Sequence, residues 1–389
     1  MLRIANGLVV DGGSVAKKNV YIDGGVVAAV TDAVLAADEI LDAEGKYVSA
    51  GFIDTHVHGG GGSDFMDGGT EPMRVAARTH LAHGTTSIAP TSMACAYPYL
   101  KKAVLDYKEL TLESGVGGMP NLIGMHLEGP YFSPAQAGAQ PPEYIYPPKK
   151  SEYDEIIAIA EGNIAKWSFA PELPGSVEFC DTLVKNGILP SVGHSDACYD
   201  DVLAVYRHGA MCMTHFYSGM SGITRKMGYR VPGVIESGYL LDDMWIEIIG
   251  DGSHIPPILL EMIVKNRGTD RIVLVTDAMR GATMPEGPSI LGTLDAGIPC
   301  IIEDGIAKMP DRTCFAGSVA TTDRLVRTFY KNGIVPLVDA VRMMTENPAK
   351  SLGLKKKGRL AEGFDADVVI FDDDINVSTV IVGGQIVKS

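Results

Sequence analysis

The sequence predicts an α/β protein: a (β/α)8 TIM-like barrel over residues 51–354, joined to a small β-sandwich domain formed from both termini (1–50 plus 355–389). Three observations carry this. Eight short apolar runs in the middle of the chain end in polar residues. Helical patterns closed by glycine lie between them. Both ends of the chain read instead as strands divided by Asp-Gly-Gly and Gly-Gly turns.

In order, the N-terminal end gives strands at Leu8–Val10, Asn19–Ile22, Val26–Val30 and Glu39–Asp42, with hairpin turns at Asp11-Gly12-Gly13 and Asp23-Gly24-Gly25. The C-terminal end gives Ala366–Phe371 and Val377–Val382, then Gly383-Gly384 turning into Gln385-Ile386-Val387. Neither end has enough strands to bury a face alone, so the two are expected to combine. The middle runs are Phe52–His58, Thr86–Thr91, Leu122–Glu128, Trp167–Glu172, Ile188–His194, Met211–His215, Ile246–Asp251 and Ile272–Asp277. Helices are expected between them, as at Val177–Asn186 before Gly187 and Val202–His208 before Gly209. Another, Asp323–Lys331, follows the eighth strand, and a last one runs from about Pro336 to Leu352. Eight such repeats suit a barrel. A doubly wound open sheet is the alternative, but it would gather its polar residues at one crevice, whereas here they end most strands. The proline-rich stretch Gln140–Pro148 reads either as a loop over the barrel mouth or as a plain surface connection.

Composition narrows the function classes. At 389 residues the chain can bury a sizeable core, and 46% hydrophobic with 21% charged residues is ordinary for a soluble enzyme. A formal charge of −15 argues against nucleic-acid or anionic-membrane partners, because polyanions are repelled. A small anionic substrate stays possible if a few cations are placed locally. The six cysteines are scattered without a C-x-x-C pair, which reads as reduced thiols in a cytoplasmic protein. No signal peptide or membrane span is read from the sequence.

The chemistry is expected where the strand ends converge. His56 and His58, one residue apart at the end of a strand, point the same way and make half of a metal site. The other strand ends supply Glu128, His194, His215, Asp251 with His254, and Asp277. Singly, each has an ordinary explanation: His194 as a helix-entry residue, His215 as a satisfied core histidine, Asp277 as a helix cap. Together they do not, since burying so many polar groups at one barrel end without a role costs several kcal/mol. Imidazole and carboxylate in this mixture suit a divalent transition metal.

The motifs bearing these residues resemble the amidohydrolase superfamily, and within it the branch that deacetylates N-acetylglucosamine 6-phosphate. They are Gly51-Phe52-Ile53-Asp54-Thr55-His56-Val57-His58-Gly59, His126-Leu127-Glu128-Gly129-Pro130-Tyr131-Phe132, Ala170-Pro171-Glu172, Gly193-His194-Ser195, Thr214-His215-Phe216-Tyr217, Asp251-Gly252-Ser253-His254, Val275-Thr276-Asp277-Ala278, Ala316-Gly317-Ser318 and Glu346-Asn347-Pro348-Ala349. They run in family order over essentially the whole chain. The resemblance implies that Glu128, His194 and His215 hold a principal metal, and that His56 and His58 support a second with Glu128 bridging. One or two divalent ions per subunit are thus expected, Zn or Fe first. Asp277 is implied as a metal ligand and as the catalytic group that moves the proton. His254 and Arg230 match sugar-phosphate contacts, Arg230 being donated in some relatives by a neighbouring subunit, which implies a homodimer. The expected reaction is hydrolysis of an acetamide on an amino-sugar phosphate, releasing acetate.

Three departures bear on the substrate. Ser218-Gly219 stands where most relatives have Asn-Ala, leaving backbone N–H groups to meet a phosphate. The stretch Thr224–Arg230 is longer than usual and adds Arg225, Lys226 and Arg230. Gln140 occupies the place of a substrate-contacting histidine. The galactosamine epimer or another N-acyl amide is therefore the alternative substrate. A catalytically silent scaffold is disfavoured by two carboxylates kept among the histidines, and a pure sugar-phosphate binder by Asp277, which binding alone does not need. The roles of Glu172 and Ser318 are left between chemistry and the positioning of loops.

Overall fold

The computed structural model describes residues 1–388, so residue 389 of the expected C-terminal segment lies outside the described residues. The two ends of the chain do combine. Leu2–Asp11, Ser14–Asp23, Val26–Thr31, Glu39–Asp42 and Tyr47–Ala50 share one eight-stranded sheet with Val368–Phe371, Val377–Val382 and Gln385–Lys388. The seam is the antiparallel pairing of Tyr47–Ala50 with Val368–Phe371. Inward residues of both ends, among them Ile4, Val20, Val48, Val368 and Ile381, form one buried cluster, so neither end folds its face away alone.

Gly51 leads from this sheet into the middle of the chain. A Cβ there would lie 2.0 Å from Thr86 Oγ1, so only glycine lets the two strands meet. Six parallel strands follow one another in sequence order: Met125–Glu128, Ile164–Phe169, Leu189–Val192, Cys212–Met213, Trp245–Ile249 and Ile272–Val275. Phe52–Val57 and Thr85–Pro90 pair in parallel beside them. Isolated parallel bridges join Thr91 to His126 and Val57 to Ala278. Helices alternate with these strands, as at Ser176–Lys185 and Tyr199–Arg207. Parallel strands covered by helices are apolar on both faces, and Phe52–Val57, Trp245–Ile249 and Ile272–Val275 are buried throughout.

Two expectations are corrected, and one element is added. The third run breaks into Asn121–Leu122 and Met125–Glu128, because Gly124 takes a φ of 99°. The single helix expected from 336 to 352 is two helices, Leu337–Met344 and Glu346–Ser351. Pro348 has no N–H to give the Met344 carbonyl, and the helix ends there. After the last parallel strand the chain builds an antiparallel sheet that the sequence reading above left out: Gly287–Leu291, Ile298–Glu303 and Ile306–Lys308. The described helices include none long and apolar enough to cross a membrane.

Candidate active site

Four of the expected residues stand two positions past the last residue of a parallel strand: His194 after Val192, His215 after Met213, Asp251 after Ile249 and Asp277 after Val275. The ladder has ended there and the backbone turns sharply. His194, His215 and Asp277 take φ values of 46°, 30° and 49°. That left-handed region costs an L side chain about 1–2 kcal/mol, and it persists only where the surroundings impose it. His56 lies within its strand, His58 follows it, and Glu128 closes its own. The Asp277 N–H donates to the His56 carbonyl at 2.9 Å and the His58 N–H to that of Ala278 at 2.8 Å. These bonds set the H-x-H pair against Asp277.

The side chains form two triangles. Glu128 Oε1 lies 2.9 Å from His215 Nε2 and 3.2 Å from His194 Nε2, and these two nitrogens are 3.2 Å apart. In the second, His56 Nε2 and His58 Nε2 are 3.2 Å apart and lie 3.3 and 3.1 Å from Asp277 Oδ1. Glu128 links the two, its Oε2 being 3.3 Å from His58 Nε2 and its Oε1 3.7 Å from His56 Nε2. All six side chains are buried. A proton can bridge one edge of such a triangle, whereas a cation satisfies all three corners. Tetrahedral metal–ligand bonds of 2.0–2.1 Å have edges of about 3.3–3.4 Å, so the donor set fits a divalent metal.

The electrostatics point the same way. Burial opposes the charge on Glu128 and Asp277, yet the facing histidines hold both well below the usual carboxylate range. Burial likewise opposes a charged ring at His58 and His56, but hydrogen bonds to Asp277 and Glu128 raise His58 to about 9, and the charges of Asp277 and Glu128 raise His56. The site stabilises positive charge at the His56–His58–Asp277 triangle, whereas burial holds His215 below the usual imidazole range.

Around the triangles lies a cavity of about 500 Å³ lined by His58, Glu128, Gln140, His194, His215 and Asp277, among others. Ser218, Gly219 and His254 line it too. Gly219 must be glycine: its φ is 57°, and a Cβ would fall 2.9 Å from His194 Nδ1. His254 gives its Nδ1–H to Asp251 Oδ2 at 2.9 Å. Gln140 is at the site, but its amide is committed: Nε2 donates to Glu128 Oε2 at 2.8 Å and Oε1 accepts the Ala94 N–H at 2.8 Å. Arg230 is exposed on the hairpin Thr224–Lys226 and Tyr229–Val231, outside this cavity. Glu172 accepts from Ser195 Oγ and the Asp196 N–H, each at 2.7 Å, so it pins the loop after His194. Ser318 N–H donates to the Asp277 carbonyl and its hydroxyl to that of Thr276.

Sequence reasoning missed two groups. Lys308 and Arg312 line the cavity from the antiparallel sheet and the turn after it, paired with Asp304 and with Glu303. The signal was Asp304-Gly305 between two apolar runs, a hairpin dipeptide. Beneath the triangles, Lys166 and Glu247 form a fully buried ion pair, and His126 packs edge-on against His56 at 4.4 Å between ring centroids. Glu247 is held down at about 2: burial opposes its charge, but Lys166 and His56 outweigh that.

Residues 47–387 match the amidohydrolase family. The N-acetylglucosamine-6-phosphate deacetylase of Lysinibacillus sphaericus is 32% identical over 95% of this chain and 92% of its own length. The N-acetylgalactosamine-6-phosphate deacetylase of Escherichia coli O157:H7 is 30% identical over 92% and 93%. Among solved structures, a mutant N-acetyl-D-glucosamine-6-phosphate deacetylase of Mycobacterium smegmatis, in complex with N-acetyl-D-glucosamine 6-phosphate, superposes with a TM-score of 0.90 at 29% identity over 100% of this chain and 99% of that one. That of Pasteurella multocida gives 0.92 at 27% over both whole chains. With residues 47–387 matched, the chain belongs to the amidohydrolase family.

Proposed function

We propose that this protein hydrolyses the acetamide of N-acetylglucosamine 6-phosphate, giving glucosamine 6-phosphate and acetate. The observation that carries the reading is the pair of triangles joined by Glu128, with Asp277 at the cavity wall. Relatives 31–32% identical over 86–95% of the chain bear that activity in their names, which supports it.

His194, His215 and Glu128 would hold one divalent metal, and His56, His58 and Asp277 a second, with Zn or Fe suiting imidazole and carboxylate. When bound, such a metal supplies Lewis acidity to the amide carbonyl and to the attacking water. The chain does the rest. Asp277 takes a proton from the water as its oxygen bonds to the carbonyl carbon, then gives it to the nitrogen as the C–N bond breaks. Gln140 keeps Glu128 oriented. His254 and the Gly219 backbone N–H receive the sugar phosphate, the Ser218 N–H being committed to the His215 carbonyl at 2.9 Å. Lys308 and Arg312 add positive charge on the same wall. Arg230 reaches the site of a second copy in a homodimer.

The fold reading goes with this. On this reading the eight parallel strands belong to one (β/α)8 barrel, a hydrolase unit at 51–354; the bridges Thr91–His126 and Val57–Ala278 support it. The same reading takes the terminal sheet as a small sandwich domain, supported by the single cluster of inward residues from both ends. Six free cysteines support a cytoplasmic setting.

The E. coli O157:H7 relative favours one second reading, the galactosamine epimer. Acetate release from both phosphosugars and from unphosphorylated N-acetylglucosamine, with metal content measured on the same sample, tests both. Turnover of one phosphosugar, lost in Asp277→Asn, is the expected result. Metal-loaded protein inactive on all three would refute the assignment.

A further inference from the structure

His194 has its outer nitrogen anchored: Nδ1–H donates to the Gln136 carbonyl at 2.8 Å, which leaves Nε2 with its lone pair turned inward. His56 needs the same arrangement, yet among the described residues that buried Nδ1 has no hydrogen-bond partner. Facing it at 3.6 Å is Glu247 Oε2, likewise buried and partnerless. The carboxylate is fixed through its other oxygen, which accepts from Thr55 Oγ1 at 3.0 Å and pairs with Lys166 Nζ. Phe52–Val57 slips register between Asp54 and Val57, and both Thr55 and His56 reach Glu247.

We propose that Glu247 is a positioning residue for His56: its carboxylate accepts the Nδ1–H and so commits Nε2 to the metal, while Lys166 and Thr55 aim the carboxylate. The gap is about 0.7 Å beyond a normal N–H···O bond, which a small rotation of either group closes. Stability alone is a poor reason for the pair, since a buried Lys–Glu pair is commonly no better than two apolar residues of similar volume. A carboxylate behind a metal-bound imidazole fixes its tautomer and orientation, and its loss typically costs about 10–100-fold in metal affinity.

The inference rests on the proposed metal site, and the test separates the two. Metal-stripped parent, K166M/E247L and K166M/E247Q are titrated with Zn²⁺ against a chromophoric chelator, with folding followed by circular dichroism and melting. The leucine pair is expected to melt like the parent yet to bind Zn²⁺ about 10–100-fold more weakly at one site. The glutamine pair, whose amide oxygen can accept the same N–H, recovers part of that loss. Leucine-pair protein that binds as tightly as the parent overturns the inference. A parent that binds no Zn²⁺ sinks the metal reading instead. In that case, or if the leucine pair does not fold, histidine ¹⁵N NMR of the metal-stripped parent decides. A slowly exchanging downfield Nδ1–H, lost in His56→Asn and shifted in K166M/E247Q, supports the contact. Its absence, or a signal indifferent to K166M/E247Q, overturns it.

Discussion

Replacing Gln140 with leucine, nearly isosteric, separates two readings of this residue. As a substrate contact it would matter to binding. The structure instead commits both ends of its amide, to Glu128 Oε2 at 2.8 Å and to the Ala94 N–H at 2.8 Å. A hydrogen bond to a charged group contributes about 1.5–3 kcal/mol, and the orphaned Ala94 N–H costs a further 1–3 or so. Gln140→Leu should therefore destabilise the metal-stripped protein by roughly 2.5–6 kcal/mol if nothing relaxes. The share that falls on Glu128 corresponds to a factor of about 10–150 in whatever depends on its orientation. The assay is kcat and KM for acetate release, with metal content on the same samples. The expected result is a fall in kcat and weaker metal retention at little-changed KM. Gln140→His, which keeps a donor, should stay nearer the parent. If Gln140→Leu raises KM alone, with kcat and metal content intact, the orienting role is refuted and the amide serves the substrate.

Other expectations rest on the same geometry. Arg312→Ala should raise KM for the phosphorylated substrate several-fold and leave that for the unphosphorylated sugar unchanged; equal shifts in both would remove Arg312 from phosphate binding. Chelating the metal should lower the melting temperature, because a ligand at about 1,000 times its Kd stabilises by about 4 kcal/mol; an unmoved transition contradicts a bound metal. Glu247 titrates near 2 when folded and in the ordinary carboxylate range when unfolded, so its stabilisation is complete above about pH 4.5 and is lost as pH falls towards 2. That amounts to roughly 3 kcal/mol. In metal-stripped protein K166M/E247L should flatten the stability–pH curve over this interval, and an unchanged slope would show that Glu247 is not the source.

The six candidate ligands were legible because each one interrupts or ends an apolar run, a pattern visible in the residues themselves. Strand ends were read two residues too late at His194, His215 and Asp277, since local pattern cannot show where a ladder stops and the backbone turns left-handed. Lys166 and Glu247 left no trace. They are 81 residues apart and their inward direction depends on strand register, so each reads as an isolated charge beside apolar neighbours. Gln140 was placed at the site by resemblance, but its commitment to Glu128 depends on a loop conformation that no residue pattern encodes. The antiparallel sheet carrying Lys308 was signalled by Asp304-Gly305, but it lies beyond the eighth repeat, where the strand–helix alternation that organises the rest of the middle no longer applies.

The left-handed turns at His194, His215 and Asp277 set a direction for the protein's history. Glycine or asparagine relaxes such a backbone, so a replacement there that abolishes the site can leave the empty fold more stable than before. Selection on abundance or heat tolerance alone would then erode the site at these positions first. A library of this chain screened only for stability should collect Gly and Asn at 194, 215 and 277, while selection for turnover keeps what the backbone resists.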